Sequence, residues 1–110
     1  MYIEITEKAY TMLLKQSSTL KRNNLALMYD YDGCGCVVSG VIHLVEIIEP
    51  TERFVQGTTN IDTIPIWYEK QYEWVYDERM VVDFVDASNS YRLKSDNQIF
   101  NSRMKFITKI

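Results

Sequence analysis

Leu25-Ala26-Leu27-Met28-Tyr29-Asp30-Tyr31-Asp32-Gly33-Cys34-Gly35-Cys36, followed at once by Val37 to Ile48, reads as strand, glycine-rich turn and strand. Leu25, Leu27, Tyr29 and Tyr31 alternate with Ala26, Met28, Asp30 and Asp32, which is the period-2 signature of a strand. Val37 to Ile48 is rich in Val and Ile and predicts a long central strand, with Gly40 allowing a bulge or bend and Pro50 closing it. Both cysteines of the chain sit between these two segments, one residue apart. In extended backbone such residues point to one face with Cα atoms about 6.6 Å apart, so two thiolates can converge on one metal ion.

Around this centre the chain reads as a β-rich α+β domain. Ile3 and Ile5 suggest a short first strand. Thr6 can cap a helix over Glu7 to Gln16, in which Ala9, Tyr10, Leu13 and Leu14 recur at helical spacing, and this helix is expected to pack on the central strand Val37 to Ile48. The polar run Gln16 to Asn24 ends that helix. In the segment Ile61 to Tyr68, Ile64, Ile66 and Tyr68 share a face, and Pro65 suggests an edge strand. Tyr68, Tyr72, Val75 and Tyr76 fit one face of a second short helix, a continued strand being the alternative. Met80, Val82 and Phe84 begin a further strand. Tyr91 and Leu93 begin a final pair, joined through Asp96-Asn97, which tolerate left-handed backbone, to a strand carrying Phe100, Met104 and Phe106. The expected architecture is a single domain over residues 1–110 with mixed or antiparallel sheets, an N-terminal helix and no repeat or linker.

Composition narrows the function classes. A chain of 110 residues buries enough surface to fold without a disulfide or metal, which leaves the cysteines for other work. No stretch approaches the length of a membrane span, and the N-terminus lacks the order of a signal peptide, so a cytoplasmic protein with reduced thiols and no membrane partner is expected. The net charge of −3, with Lys and Arg scattered, argues against a nucleic-acid partner. Trp67, Tyr68, Tyr72, Trp74 and Tyr76 are interleaved with Glu69, Glu73, Asp77 and Glu78, which repel phosphates. Core packing or a protein interface explains them better.

Cys34 and Cys36 are therefore the candidate site, as ligands for a metal or a cofactor. Simple packing of small apolar thiols is the alternative, but Gly33 and Gly35 strip the segment of side-chain bulk and let a ligand approach the backbone. A Cys34–Cys36 disulfide is awkward because the extended separation lies near the upper end of the usual Cα window. Asp30 and Asp32 would raise a thiol pKa and could add oxygen ligands, although such aspartates commonly initiate turns. His43, the sole histidine, lies seven positions from Cys36 and so on the opposite strand face; a half-buried strand residue is expected there. No nucleophile elbow, phosphate loop or dinucleotide fingerprint is present, and no enzyme is expected.

The order of these elements, with a helix opening at Thr6-Glu7-Lys8-Ala9 and a strand running into Asp30-Tyr31-Asp32-Gly33-Cys34-Gly35-Cys36, resembles the HesB-like, or A-type iron-sulfur carrier, family. The resemblance implies the HesB-like fold and a role in iron-sulfur cluster biosynthesis. In that family a glycine-flanked cysteine after the second strand pairs with a C-terminal Cys-Gly-Cys to hold iron or a cluster, often across a dimer, and Cys34 matches the first cysteine by its place in the element order. Here the C-terminal region reads Asn97-Gln98-Ile99-Phe100-Asn101-Ser102-Arg103-Met104, without cysteine, as in a short divergent branch. A cluster normally takes four protein thiolates or substitutes. Two chains would have to pool Cys34 and Cys36, or glutathione or the thiols of an assembly or acceptor protein would have to complete the sphere. The same cysteine pair could instead serve a thiol-disulfide redox protein, or the chain could be an interaction domain without metal.

Overall fold

The computed structural model describes residues 1–30 and 41–108. The first strand, β1 (Tyr2–Ile5), sends Ile3 and Ile5 inward and leads into helix α1 (Glu7–Gln16). Thr6 caps this helix as expected. Its Oγ1 accepts from the Ala9 amide at 3.2 Å and donates to Asp83 Oδ1 at 2.9 Å, so one hydroxyl closes the helix end and ties it to a later strand. A 3-10 turn at Leu20–Arg22 returns the chain to β2 (Asn24–Asp30), which pairs antiparallel with β3 (Val41–Ile47) from Asn24–Ile47 to Asp30–Val41.

Short strands β4 (Phe54–Gln56) and β5 (Thr58–Thr59) occupy a connection that offers no apolar alternation. Gly57 between them is packed close: a Cβ there would meet Ile3 Cδ1 and the Met1 carbonyl at 3.3 Å. Then come β6 (Ile66–Glu69), a 3-10 helix over Lys70–Val75, β7 (Arg79–Val85), β8 (Ser90–Lys94), β9 (Ile99–Met104) and β10 (Phe106–Ile107). Two mixed five-stranded sheets result, ordered β5-β1-β7-β8-β9 and β10-β3-β2-β6-β4.

A large apolar core draws on both sheets and the helix. Ile3, Met80, Val82, Phe84 and Leu93 come from the first sheet, Leu25, Leu27, Leu44, Ile66 and Tyr68 from the second, and Ala9 and Leu13 from α1. The opposite face of the second sheet carries a smaller apolar cluster, Ala26, Val45 and Ile47, covered by Met28, Phe54, Trp67 and Ile107. Apolar residues on both faces explain why residues 41–47 read as a near-continuous hydrophobic run.

Four details differ from the sequence reading. Among the described residues the helix lies chiefly along β7, where Thr6 is bound to Asp83, and its Ala9 and Leu13 share the main core with Ile42 and Leu44 of β3. Of that strand, residues 37–40 lie outside the described residues. The strand after Pro65 is internal, flanked by β2 and β4: Pro65 precedes the strand and needs no amide there, while its carbonyl accepts from Leu25 N at 2.9 Å. The strand expected to run from Phe100 to Phe106 breaks at Lys105 and changes sheets, its Lys105 carbonyl accepting from Leu44 N at 2.9 Å. Finally, the single positive φ of a non-glycine residue among the described residues falls at Asn89, in the β7–β8 turn, and not at Asp96-Asn97, where the longer Ser95–Gln98 connection closes through Ser95 N to Gln98 O at 2.8 Å.

Candidate functional site

Cys34, Cys36, Asp32 and the glycines beside the cysteines lie outside the described residues; what the fold settles is the frame that holds them. Asp30 and Val41 are ladder partners, so the two residues that flank the ten-residue segment 31–40 lie side by side, with Cα atoms about 4.5–5.5 Å apart. Cys34 is four residues from Asp30, and chain length alone keeps it within about 14 Å of that strand end.

At this end of β2 a set of polar and aromatic side chains meets. Tyr29 N donates to Glu69 Oε1 at 2.8 Å, so that a side chain carries the β2–β6 contact past the Leu27–Tyr68 pair. Arg53 Nη2 stands 3.5 Å from Glu69 Oε2 and its guanidinium lies over the Phe54 ring. The ring of Tyr29 stacks on Tyr72 with centroids 4.7 Å apart. Inside, Tyr76 packs between Tyr68 and Phe100. Burial, with the Glu69 carboxylate and Tyr29 nearby, holds the Tyr76 phenol well above its ordinary pKa.

On the outer face of the second sheet, Met28, Tyr29, His43, Val45, Arg53, Glu69 and Ile107 line an open cavity of about 330 Å³. His43 is half-buried in β3, as its place in the sequence led one to expect. Recesses of about 360 Å³ beside Tyr10 and Asn60 and about 450 Å³ along Glu7 to Lys15 belong to the helix and the other sheet. Among the described residues no three His, Cys, Asp or Glu side chains converge as a metal site.

The burial of two carboxylates differs from the sequence reading. Glu69 is 4% exposed, and Glu46 is fully buried and held by Ser17 Oγ, by Thr19 Oγ1 at 2.7 Å and by Asn23 Nδ2 at 2.6 Å, which pins the segment after α1 to β3. Their signal was present: Glu46 is in phase with the inward-facing Ile42 and Leu44, and Glu69 ends the apolar run Ile66-Trp67-Tyr68. A carboxylate in such a position must be paired.

The aromatic group divides by face. Tyr68 and Tyr76 are core; Trp67 is half-buried on the outer face and donates to Asn24 Oδ1 at 3.0 Å; Tyr72 covers Tyr29; Trp74 is 80% exposed.

Comparison with known proteins agrees with this architecture. An uncharacterized protein of Bacillus subtilis strain 168, YqkB, is 29% identical over 109 residues, covering 99% of this chain and all of that one. A crystal structure of a candidate Fe-S biosynthesis protein from Lactobacillus salivarius superposes with a TM-score of 0.75 at 17% identity, covering 99% of this chain and 98% of its own. A second, from Lactobacillus acidophilus, gives 0.71 at 17% identity over 98% of this chain and 90% of its own. The sequence profile for iron-sulphur cluster biosynthesis proteins matches residues 1–108, and the chain, whose two cysteines fall between β2 and β3 in the sequence, belongs to that family.

Proposed function

We propose that this protein is a non-enzymatic, cytoplasmic component of iron-sulfur cluster biosynthesis that takes up iron or a cluster as cargo through Cys34 and Cys36. The observation that carries the reading is the closure of the β2–β3 ladder at Asp30–Val41 around the segment that bears both cysteines, in a chain of the iron-sulphur cluster biosynthesis family. In extended backbone, side chains two positions apart point to one side, and thiolates are the ligands that iron-sulfur cargo requires. One chain supplies two. A second copy, or the thiols of an assembly or acceptor protein, supplies the rest.

Anaerobic purification followed by iron and sulfide analysis and an absorption spectrum tests the reading. The expected result is iron, with or without sulfide, that is lost to a similar degree in Cys34→Ser and in Cys36→Ser while the fold persists, since the apolar core needs no metal. A redox pair would behave asymmetrically, because one thiol attacks and the other resolves, so that one variant traps a mixed disulfide. Unchanged metal content in both variants would refute cysteine ligation.

A further inference from the structure

We propose that His43, Met28 and Glu69 form a binding site for a single divalent first-row metal ion, separate from the two thiolates. That the ion is ferrous iron rests on the function proposed above; the ligand set rests on the sheet itself.

The three residues occupy one row across β3, β2 and β6. Met28 and His43 are ladder partners, and Glu69 stands one residue beyond the parallel Leu27–Tyr68 pair, beside Met28. Because side chains alternate and Leu27 and Tyr68 face the main core, all three residues face the outer side, where they line the same cavity. His43 and Glu69 are two strand spacings apart, about 9.6 Å between Cα atoms, a span that an imidazole and a carboxylate bridge through one ion above Met28.

The donors suit such an ion. Imidazole and carboxylate are ligands for divalent iron and zinc, and the Met28 thioether forms a soft floor. Solvent completes the sphere through the open mouth of the cavity. Glu69 is the stronger argument. Its side chain is 6% exposed, yet among the described residues the only cation facing it is Arg53 at 3.5 Å, itself 55% exposed and drawn onto the Phe54 ring. A buried carboxylate so weakly compensated has lone pairs to spare, and a divalent ion compensates it fully. The Tyr29 amide, bound to Oε1, fixes the carboxylate's orientation in the way that outer partners of metal ligands do.

The test uses the full chain carrying Cys34→Ser and Cys36→Ser together, so that thiols contribute nothing. Anaerobic titration with Fe²⁺, and with Co²⁺ as an optical probe, is expected to show one ion per chain. His43→Ala and Glu69→Gln should each weaken binding by roughly tenfold or more. Glu69→Gln keeps the acceptor for Tyr29 N, so unfolding is not expected; thermal melts check this, and should that variant unfold, His43→Ala alone decides. Arg53→Ala should tighten binding by removing the competing cation, an effect that a merely structural Glu69 would not produce. Absence of stoichiometric binding in the thiol-free chain, or binding indifferent to both substitutions, overturns the site. The cysteine reading is judged separately, by iron and sulfide in the unmodified protein, so either can fail alone.

Discussion

Tyr76 buries its hydroxyl without a hydrogen-bond partner among the described residues. A buried donor left unmade costs about 1–3 kcal/mol, so Tyr76→Phe should be neutral or stabilising, by up to about 1 kcal/mol, in urea unfolding at pH 8. Tyr91 is the control, because its hydroxyl donates to Gln16 Oε1 at 3.0 Å and Tyr91→Phe loses that bond. Both phenols are held above their ordinary pKa, chiefly by burial. The sign follows: above about pH 10 the unfolded chain gives up protons that the folded chain keeps, so stability is level below that pH and falls as pH rises beyond it. Tyr76→Phe should flatten this alkaline fall between pH 10 and 11, and an unchanged slope would show that Tyr76 ionises in the fold. At this scale the sequence was half legible. The inward phase of Tyr68 and Tyr76 could be read from periodicity, whereas the satisfied burial of Glu46 and Glu69 could not, since their donors Ser17, Thr19, Asn23 and the Tyr29 amide are brought to them by tertiary pairing.

Elements with a local signature are the legible ones. Helix α1 begins and ends as its cap and periodicity imply, because Thr6, Glu7 and the spacing of Ala9 and Leu13 act within a few residues. Leu13 is fully buried in the main core, and Leu13→Ala should cost about 2–5 kcal/mol by urea or thermal denaturation. A loss under 1 kcal/mol would mean that the helix contributes little to the core. Elements defined by pairing alone were less legible. Thr58–Thr59 is a strand only because β1 lies beside it, and the break at Lys105 reflects a choice between two sheets that residues 99–107 do not encode by alternation. Asn101 Nδ2 fastens that corner by donating to the Ile42 carbonyl at 2.8 Å, joining β9 to β3 across the sheets.

Taken as a whole, the molecule sets the Asp30 end of β2 beside the Val41 end of β3 in the second sheet, and these two ends flank the cysteine-bearing sequence, which sets the expected assembly. Thiolate ligation of a cluster takes four donors, and one chain brings two. Symmetric pooling therefore requires two copies with their Asp30 and Val41 ends facing, an isologous contact in which each chain supplies the same pair. Sedimentation velocity on anaerobically reconstituted protein, without added glutathione or other thiol, should give a dimer when loaded and a monomer when metal-free. The thiol-free variant, even with Fe²⁺ at His43 and Glu69, should remain monomeric, because that row is complete within one chain. A loaded species that stays strictly monomeric in the absence of other thiols would exclude pooling, and the remaining ligands would then have to come from an assembly or acceptor protein.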